Sequence, residues 1–383
     1  MITKIKSDRI ITPDGLFAGY LKIENGKIQG LFTLDFAADL VYDFSGRYVS
    51  PGFIDLHTHG AGGHAFLDSS VEDVLLGCEY HLRHGTTSIL PTVSAAPFDR
   101  MRQAVANIHE AKSSGKAASH IIGAHMEGPY LSAAQCGSQC PDFITPPIPA
   151  DYEELVQTYG NSIARWTYAP ENDLNGRFCA YLSAHGILPS AGHTDAKYPD
   201  MIRAIENGCN LVTHLYSCTS TITRDHGYRS LGVIESAFLR DELFVEIIAD
   251  GSHLPKELVQ MIVKIKGSDK VALITDSLHI AGTETKEGIM GGTPFIVEDG
   301  VCKLRDRSAF AGSVATADKL LAFMVQDCHF DIVTAVSMLT AVPAGILGLP
   351  KGKIVAGLDA DLAIFDNNFQ VSDVFVDGIH KEV

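Results

Sequence analysis

Val49-Ser50-Pro51-Gly52-Phe53-Ile54-Asp55-Leu56-His57-Thr58-His59-Gly60 is the most informative stretch of this chain. A short apolar segment behind a Pro-Gly turn ends in two histidines separated by one residue. At strand periodicity both imidazoles fall on the same side. Two same-side imidazoles at a strand end can chelate one metal ion, whereas the plainer reading is a strand terminus that carries two histidines; the pair alone does not separate them. The ends of later strands decide the matter.

Downstream, apolar runs rich in β-branched residues alternate with amphipathic segments. Strands are predicted at Thr86-Thr87-Ser88-Ile89-Leu90, Ile121 to His125, Ile187 to Ala191, Asn210 to Thr213, Leu243 to Ile248 and Val271 to Thr275. Helices are predicted from Val71 to His84, Met201 to Asn207, Pro255 to Lys266, Thr316 to His329 and Asp331 to Ala341. Strand-then-helix repetition over roughly 290 residues, without a Gly-rich dinucleotide turn after the first strand, favours an α/β fold of the TIM-like (β/α)₈ barrel type over an open sheet.

The two ends have a different texture. Tyr20 to Ile23 and Lys27 to Phe32 flank Glu24-Asn25-Gly26, and Asp377-Gly378 follows the strand-like Val371 to Val376. Both dipeptides are strong two-residue hairpin signals. The expectation is a small β-sandwich domain built from both termini, residues 1–50 and 346–383, around a barrel spanning 51–345.

At 383 residues, 46% hydrophobic and 20% charged, the chain has ordinary globular composition and can bury a substantial core. It contains no membrane-length apolar run, and Met1-Ile2-Thr3-Lys4-Ile5-Lys6 lacks a secretory h-region, so the expectation is a cytoplasmic protein with no membrane partner. A net charge of -16 argues against a nucleic-acid surface. An anionic substrate must then be met by a few locally placed basic groups. The eight cysteines are scattered, which suits reduced thiols, and Cys136-x-x-x-Cys140 lacks the second pair that a structural zinc needs.

Chemistry-bearing residues recur after the predicted strands: Glu127, His193, His214, His253 and Asp276 join His57 and His59. Each has a bland reading, as loop cap, satisfied core imidazole or surface carboxylate. Seven together at the carboxyl ends of barrel strands, where this architecture carries catalysis, point to a metal site. Imidazole and carboxylate ligands without cysteine suit zinc, and the ligand type leaves iron, manganese and cobalt open. Such a site binds water and lowers its pKa from 15.7 to about 7. Asp276 is placed to take that proton and pass it to a leaving group.

The same residues sit in runs that resemble the amidohydrolase superfamily, and within it the N-acetylglucosamine-6-phosphate deacetylases. These runs are Pro51-Gly52-Phe53-Ile54-Asp55 with His57 and His59, His125-Met126-Glu127-Gly128-Pro129-Tyr130-Leu131, Ala191-Gly192-His193-Thr194-Asp195, Thr213-His214-Leu215-Tyr216, Ile248-Ala249-Asp250-Gly251-Ser252-His253, Thr275-Asp276, and Gly357-Leu358-Asp359-Ala360-Asp361-Leu362. The resemblance implies a metal-dependent barrel with a small β domain. It implies Glu127, His193 and His214 as ligands of a principal ion, His57 and His59 as ligands of an optional second one, and Asp276 as catalytic acid and base. It also implies that His253 contacts the sugar phosphate, that an arginine, best matched by Arg229 with Arg224 as alternative, binds phosphate, often across a homodimer, and that Gln139 lies where some members aim a histidine at the substrate carbonyl. The family's Asn-Ala is here Ser217-Cys218, which alters the substrate-contacting segment.

The expected reaction is hydrolysis of N-acetylglucosamine 6-phosphate to acetate and glucosamine 6-phosphate, with zinc or a related divalent ion, one or two per subunit. The alternatives are a deacetylase of another N-acyl amino sugar, a cyclic amidohydrolase of the dihydroorotase or hydantoinase kind, and a non-catalytic scaffold. The cyclic class commonly uses a carboxylated lysine where this chain has Glu127, and a scaffold is expected to have lost ligands.

Overall fold

A computed structural model describes residues 1–383. Its centre is a ring of eight parallel strands, numbered here β1 (Phe53–Thr58), β2 (Thr86–Ser94), β3 (Ala124–Glu127), β4 (Ile163–Tyr168), β5 (Leu188–Ala191), β6 (Leu211–Val212), β7 (Phe244–Ile247) and β8 (Val271–Leu273). Each strand pairs with its neighbour in chain order. The ring closes just past β8, where Asp276 N–H donates to His57 O at 2.9 Å and His59 N–H donates to Ser277 O at 2.8 Å. A helix follows every strand: Val71–Leu82, Phe98–Ser113, Pro149–Tyr159, Arg177–Ala184, Tyr198–Glu206, Val233–Leu239, Lys256–Lys266 and Ala317–Gln326. The (β/α)₈ expectation is met.

Local chemistry explains individual boundaries. Ser70 caps the first barrel helix, its hydroxyl accepting Asp73 N–H while the Asp73 carboxylate accepts Ser70 N–H; this reciprocal box starts the helix at Val71. β2 is buried along its whole length, as a parallel strand covered on both faces must be. Sixty-one buried residues form the main core between the strands and the helices.

β4 has no counterpart in the strand expectation. Its sequence, Ile163-Ala164-Arg165-Trp166-Thr167-Tyr168, carries an arginine in mid-strand, yet Arg165 is fully buried inside the barrel. Glu246 of β7 compensates it: both Nη atoms bond the carboxylate, Nη2 to Oε2 at 2.7 Å. A charge that breaks the apolar pattern hides a strand when its partner lies far away in sequence.

Both termini enter one eight-stranded sheet. Leu362–Phe365 pairs with Tyr48–Pro51, which in turn pairs with Ile2–Thr12. The sheet folds over a shared core in which Ile5, Leu21, Ile23 and Ile28 meet Leu362, Ile364 and Phe375, a sandwich-like arrangement made of a single sheet. Asn25 (φ 52°) with Gly26 (φ 74°), and Asp377 (φ 51°) with Gly378 (φ 70°), form two-residue hairpin turns with the left-handed backbone that such turns require. No helix is long and apolar enough to cross a membrane.

A further four-stranded antiparallel sheet, unforeseen from the sequence, follows β8: Glu287–Met290, Thr293–Glu298, Val301–Leu304 and Phe310–Gly312. It has its own small core around Leu278, Phe295 and Cys302. This sheet stands over the carboxyl ends of the barrel strands and walls the cavity there.

Candidate metal centre and active site

Every one of the seven strand-end residues comes from the same face. His57 and His59 lie at the end of β1 and Glu127 is the last residue of β3, while His193, His214 and Asp276 come two or three residues after β5, β6 and β8. Those last three have left-handed backbones, φ 47°, 28° and 46°. Non-glycine residues pay for that conformation, and its recurrence at three strand ends turns each side chain inward over the barrel axis.

Glu127 is the hub. His193 Nε2 and His214 Nε2 each lie 3.1 Å from Glu127 Oε1, and 3.1 Å from one another. His57 Nε2 is 3.3 Å from Oε1, and His59 Nε2 is 3.3 Å from Oε2. Asp276 Oδ1 faces the β1 pair, 3.4 Å from His57 Nε2 and 3.2 Å from His59 Nε2. The carboxylate of Glu127 therefore stands between two donor sets, with His57 and His59 alongside Asp276 on one side and His193 and His214 on the other.

Outer contacts fix how these rings present themselves. His193 Nδ1 lies 3.1 Å from Gln135 O and His214 Nδ1 lies 3.0 Å from Ser217 O; a carbonyl only accepts, so both Nδ1 atoms carry hydrogen. Two neutral rings would then aim lone pairs at each other and at a carboxylate oxygen from 3.1 Å. A positive charge has to sit among them. Without an ion, a proton serves: burial presses His193 downward, but the Cys218 thiol and Glu127 outweigh it and raise the imidazole well above its ordinary value, whereas burial keeps His214 low. A tetrahedral divalent ion with bonds of about 2.0 Å has ligand–ligand edges of about 3.3 Å. The spacing and donor types fit such an ion. Burial also presses His59 down, yet Asp276 and Glu127 raise it to about 9.

A cavity of about 300 Å³ opens onto this centre. Its walls include His59, Glu127, Gln139, His193, His214, Ser217, Cys218, His253 and Asp276. His253 is held by Asp250, Nδ1 to Oδ2 2.8 Å, and packs against the Phe310 ring at 4.8 Å. Ser138, Tyr216, Met290 and Phe310 also line the cavity and were not foreseen. Tyr216 was legible as the neighbour of Ser217; Met290 and Phe310 come from the unforeseen sheet. A larger cleft of about 480 Å³ lies between the small β domain and the opposite end of the barrel; its lining has no imidazole and one carboxylate, Asp269, so it offers no comparable chemistry.

Two expected substrate contacts, Gln139 and Arg229, are placed differently from one another. Gln139 does not stand free to polarise a carbonyl: its Oε1 accepts Ala95 N–H at 3.0 Å, and its Nε2 donates to Glu127 Oε2 at 2.7 Å, so it clamps the hub carboxylate and has one amide hydrogen left. Arg229 is absent from the cavity of its own protomer. It lies on an exposed hairpin, Thr223–Asp225 with Tyr228–Ser230, and bonds Gly227 O; Arg224 on the facing strand is exposed too. The chain spacing after His214 gave no means of telling which way that hairpin points.

Residues 48–379 match the model of the amidohydrolase family. The N-acetylglucosamine-6-phosphate deacetylase of Lysinibacillus sphaericus is 31% identical over 325 residues, 85% of this chain and 83% of that protein. The enzyme of the same name from Haemophilus influenzae is 32% identical over 345 residues, 89% and 88% of the two chains. Among solved structures, the N-acetylglucosamine-6-phosphate deacetylase of Pasteurella multocida superposes over 100% of both chains with a TM-score of 0.93 at 28% identity.

Proposed function

The chain belongs to the amidohydrolase family and, within it, to the N-acetylglucosamine-6-phosphate deacetylases, and from that premise we propose that it hydrolyses N-acetylglucosamine 6-phosphate to glucosamine 6-phosphate and acetate. The observation that carries this reading is the meeting of Glu127, His193 and His214 at 3.1 Å with Asp276 beside the same centre.

Glu127, His193 and His214 would hold a principal divalent ion, zinc in this reading, and His57 and His59 give room for a second. Bound there, the ion supplies Lewis-acid polarisation of the amide carbonyl and lowers the pKa of a water. Asp276 takes the proton from the attacking water at its carboxylate and delivers it to the departing amine nitrogen. Burial pushes the Asp276 carboxyl up, but His57 and His59 outweigh burial and hold it below the usual range, so at neutral pH it begins as the base. Gln139 fixes the orientation of Glu127, and the burial of Glu127, His193 and His214 keeps their mutual interactions strong.

The phosphate is assigned to His253 and to Arg229 of a second copy in a cytoplasmic homodimer. No lysine or arginine lines the cavity within one protomer, so a cation must arrive from outside it. That same lack favours a second reading, a deacetylase of an unphosphorylated N-acyl amino sugar. Acetate release measured on N-acetylglucosamine 6-phosphate, on the free sugar and on dihydroorotate separates them. Preference for the phosphorylated sugar is expected; preference for the free sugar overturns the phosphate assignment, and turnover of dihydroorotate alone overturns deacetylation.

A further inference from the structure

Beneath the candidate metal centre lies a buried polar layer that the reaction does not use. Arg165 of β4 reaches four elements from one guanidinium. Nη1 donates to Leu56 O at 3.2 Å, Nη2 to Thr213 Oγ1 at 2.7 Å, Nε to Ser190 Oγ at 3.0 Å, and both Nη atoms bond Glu246. Leu56 immediately precedes His57, Thr213 immediately precedes His214, and Ser190 lies on the strand that leads to His193.

The layer has a direction. A guanidinium only donates, so Thr213 Oγ1 accepts from it and passes its own hydrogen onward, to Thr167 Oγ1 at 3.0 Å or through Ser190 Oγ. Thr167 then donates to His125 Nε2 at 2.7 Å, which leaves His125 Nδ1–H for Thr92 Oγ1 at 3.1 Å. Thr92 Oγ1 also accepts the backbone N–H of Thr58, between His57 and His59, at 3.0 Å. One chain of hydrogen bonds thus crosses from the Arg165–Glu246 pair through the Ser190, Thr213 and His125 side chains to the backbone on either side of His57, and its far end lies on the segment that carries the first two histidines.

We infer that Arg165, held in place by Glu246, is a positioning residue that sets the register of the metal-holding side chains through this layer. The inference rests on the deacetylase reading above. Apart from Glu246, its acceptors Leu56, Thr213 and Ser190 sit one to three residues from a ligand, where outer-shell partners govern affinity and rate through ligand orientation. A buried ion pair is weak evidence for stability, because apolar replacements of similar volume are often neutral. The pair's placement under the ligands gives it a different task.

Two variants test it. R165M/E246L removes both charges together and leaves no unpaired ion, while T213V cuts the link from the guanidinium with little change of shape. The measurements are zinc affinity of metal-stripped protein by competition with a chromophoric chelator, melting temperature, and kcat and KM for N-acetylglucosamine 6-phosphate. Both variants are expected to bind zinc about tenfold or more weakly and to lose kcat to a similar degree, with KM within about twofold of the native value. Native zinc affinity and kcat in T213V, or in a folded R165M/E246L protein, overturn the inference and leave the pair a structural clamp. If R165M/E246L does not fold, T213V alone decides. Failure of the native protein to bind zinc or release acetate would instead count against the deacetylase reading itself.

Discussion

Replacing Arg165 alone by methionine separates the energetics of the buried pair from its positioning role. The substitution keeps volume in the barrel interior but leaves the Glu246 carboxylate, which has no solvent exposure, without its cation. It also strips donors from Leu56 O and Thr213 Oγ1. Breaking one partner of a buried pair costs about 3–5 kcal/mol, a large share of the roughly 5–15 kcal/mol that holds a domain folded. For a single cooperative transition, ~2.1 cal/mol/K per residue gives this chain a melting entropy of about 0.8 kcal/mol/K, so Tm should fall by about 4–6 °C. Adding E246L should return most of that loss, because no charge is then left unpaired. Scanning calorimetry of native, R165M and R165M/E246L proteins reads all three. A melting point for R165M within about 1 °C of native, or no recovery in the double variant, refutes the reasoning.

Further outcomes follow from the same geometry. D276N should retain bound metal, because Glu127, His193 and His214 are untouched, and lose about 10²–10⁴-fold in kcat; near-normal turnover would remove Asp276 from the acid–base role. G137A should lower kcat/KM about tenfold, since the new Cβ would lie 2.4 Å from Cys218 Sγ in a loop whose Gln135 carbonyl holds His193; C218A should restore much of the loss, short of the strain of φ 58°. At the junction of barrel and small domain, His120 Nε2 lies 3.3 Å from Asp377 Oδ1 and 3.5 Å from Asp361 Oδ2, beside Lys351. The neighbouring Asp361 carboxylate, against burial, raises the imidazole above its ordinary value. A raised folded-state value contributes stability below the unfolded pKa of about 6.5 and loses it as pH rises through the folded value. The Tm difference between native protein and H120N should therefore be largest below about pH 6.5 and shrink as pH rises above it; a difference that widens toward alkaline pH contradicts this.

What was legible in the sequence is what local physics writes there. Asn25-Gly26 and Asp377-Gly378 announce hairpins because few other dipeptides accept two left-handed residues, and the His and carboxylate residues after the strands announce a site because barrel topology brings strand ends together. β4 was not legible, since Arg165 looks like a surface residue until Glu246, 81 positions later, is placed opposite it. The sheet over the cavity was missed too: residues 287–312 form short strands with their own small core outside the repeating pattern, so Met290 and Phe310 went unseen as walls. Gln139 was placed near the centre by its motif position, but its task depends on a 2.7 Å contact with Glu127 that spacing does not reveal. Arg229 lies on an exposed hairpin whose direction the spacing after His214 does not reveal.

The most direct test of the metal-dependent deacetylase account is acetate release from N-acetylglucosamine 6-phosphate by chelator-stripped protein, before and after zinc is returned, with bound metal quantified in parallel. The account predicts no release from stripped protein, recovery on adding zinc, and neither recovery nor tight zinc binding in a variant lacking both His193 and His214. Full release by protein that holds no metal would contradict it.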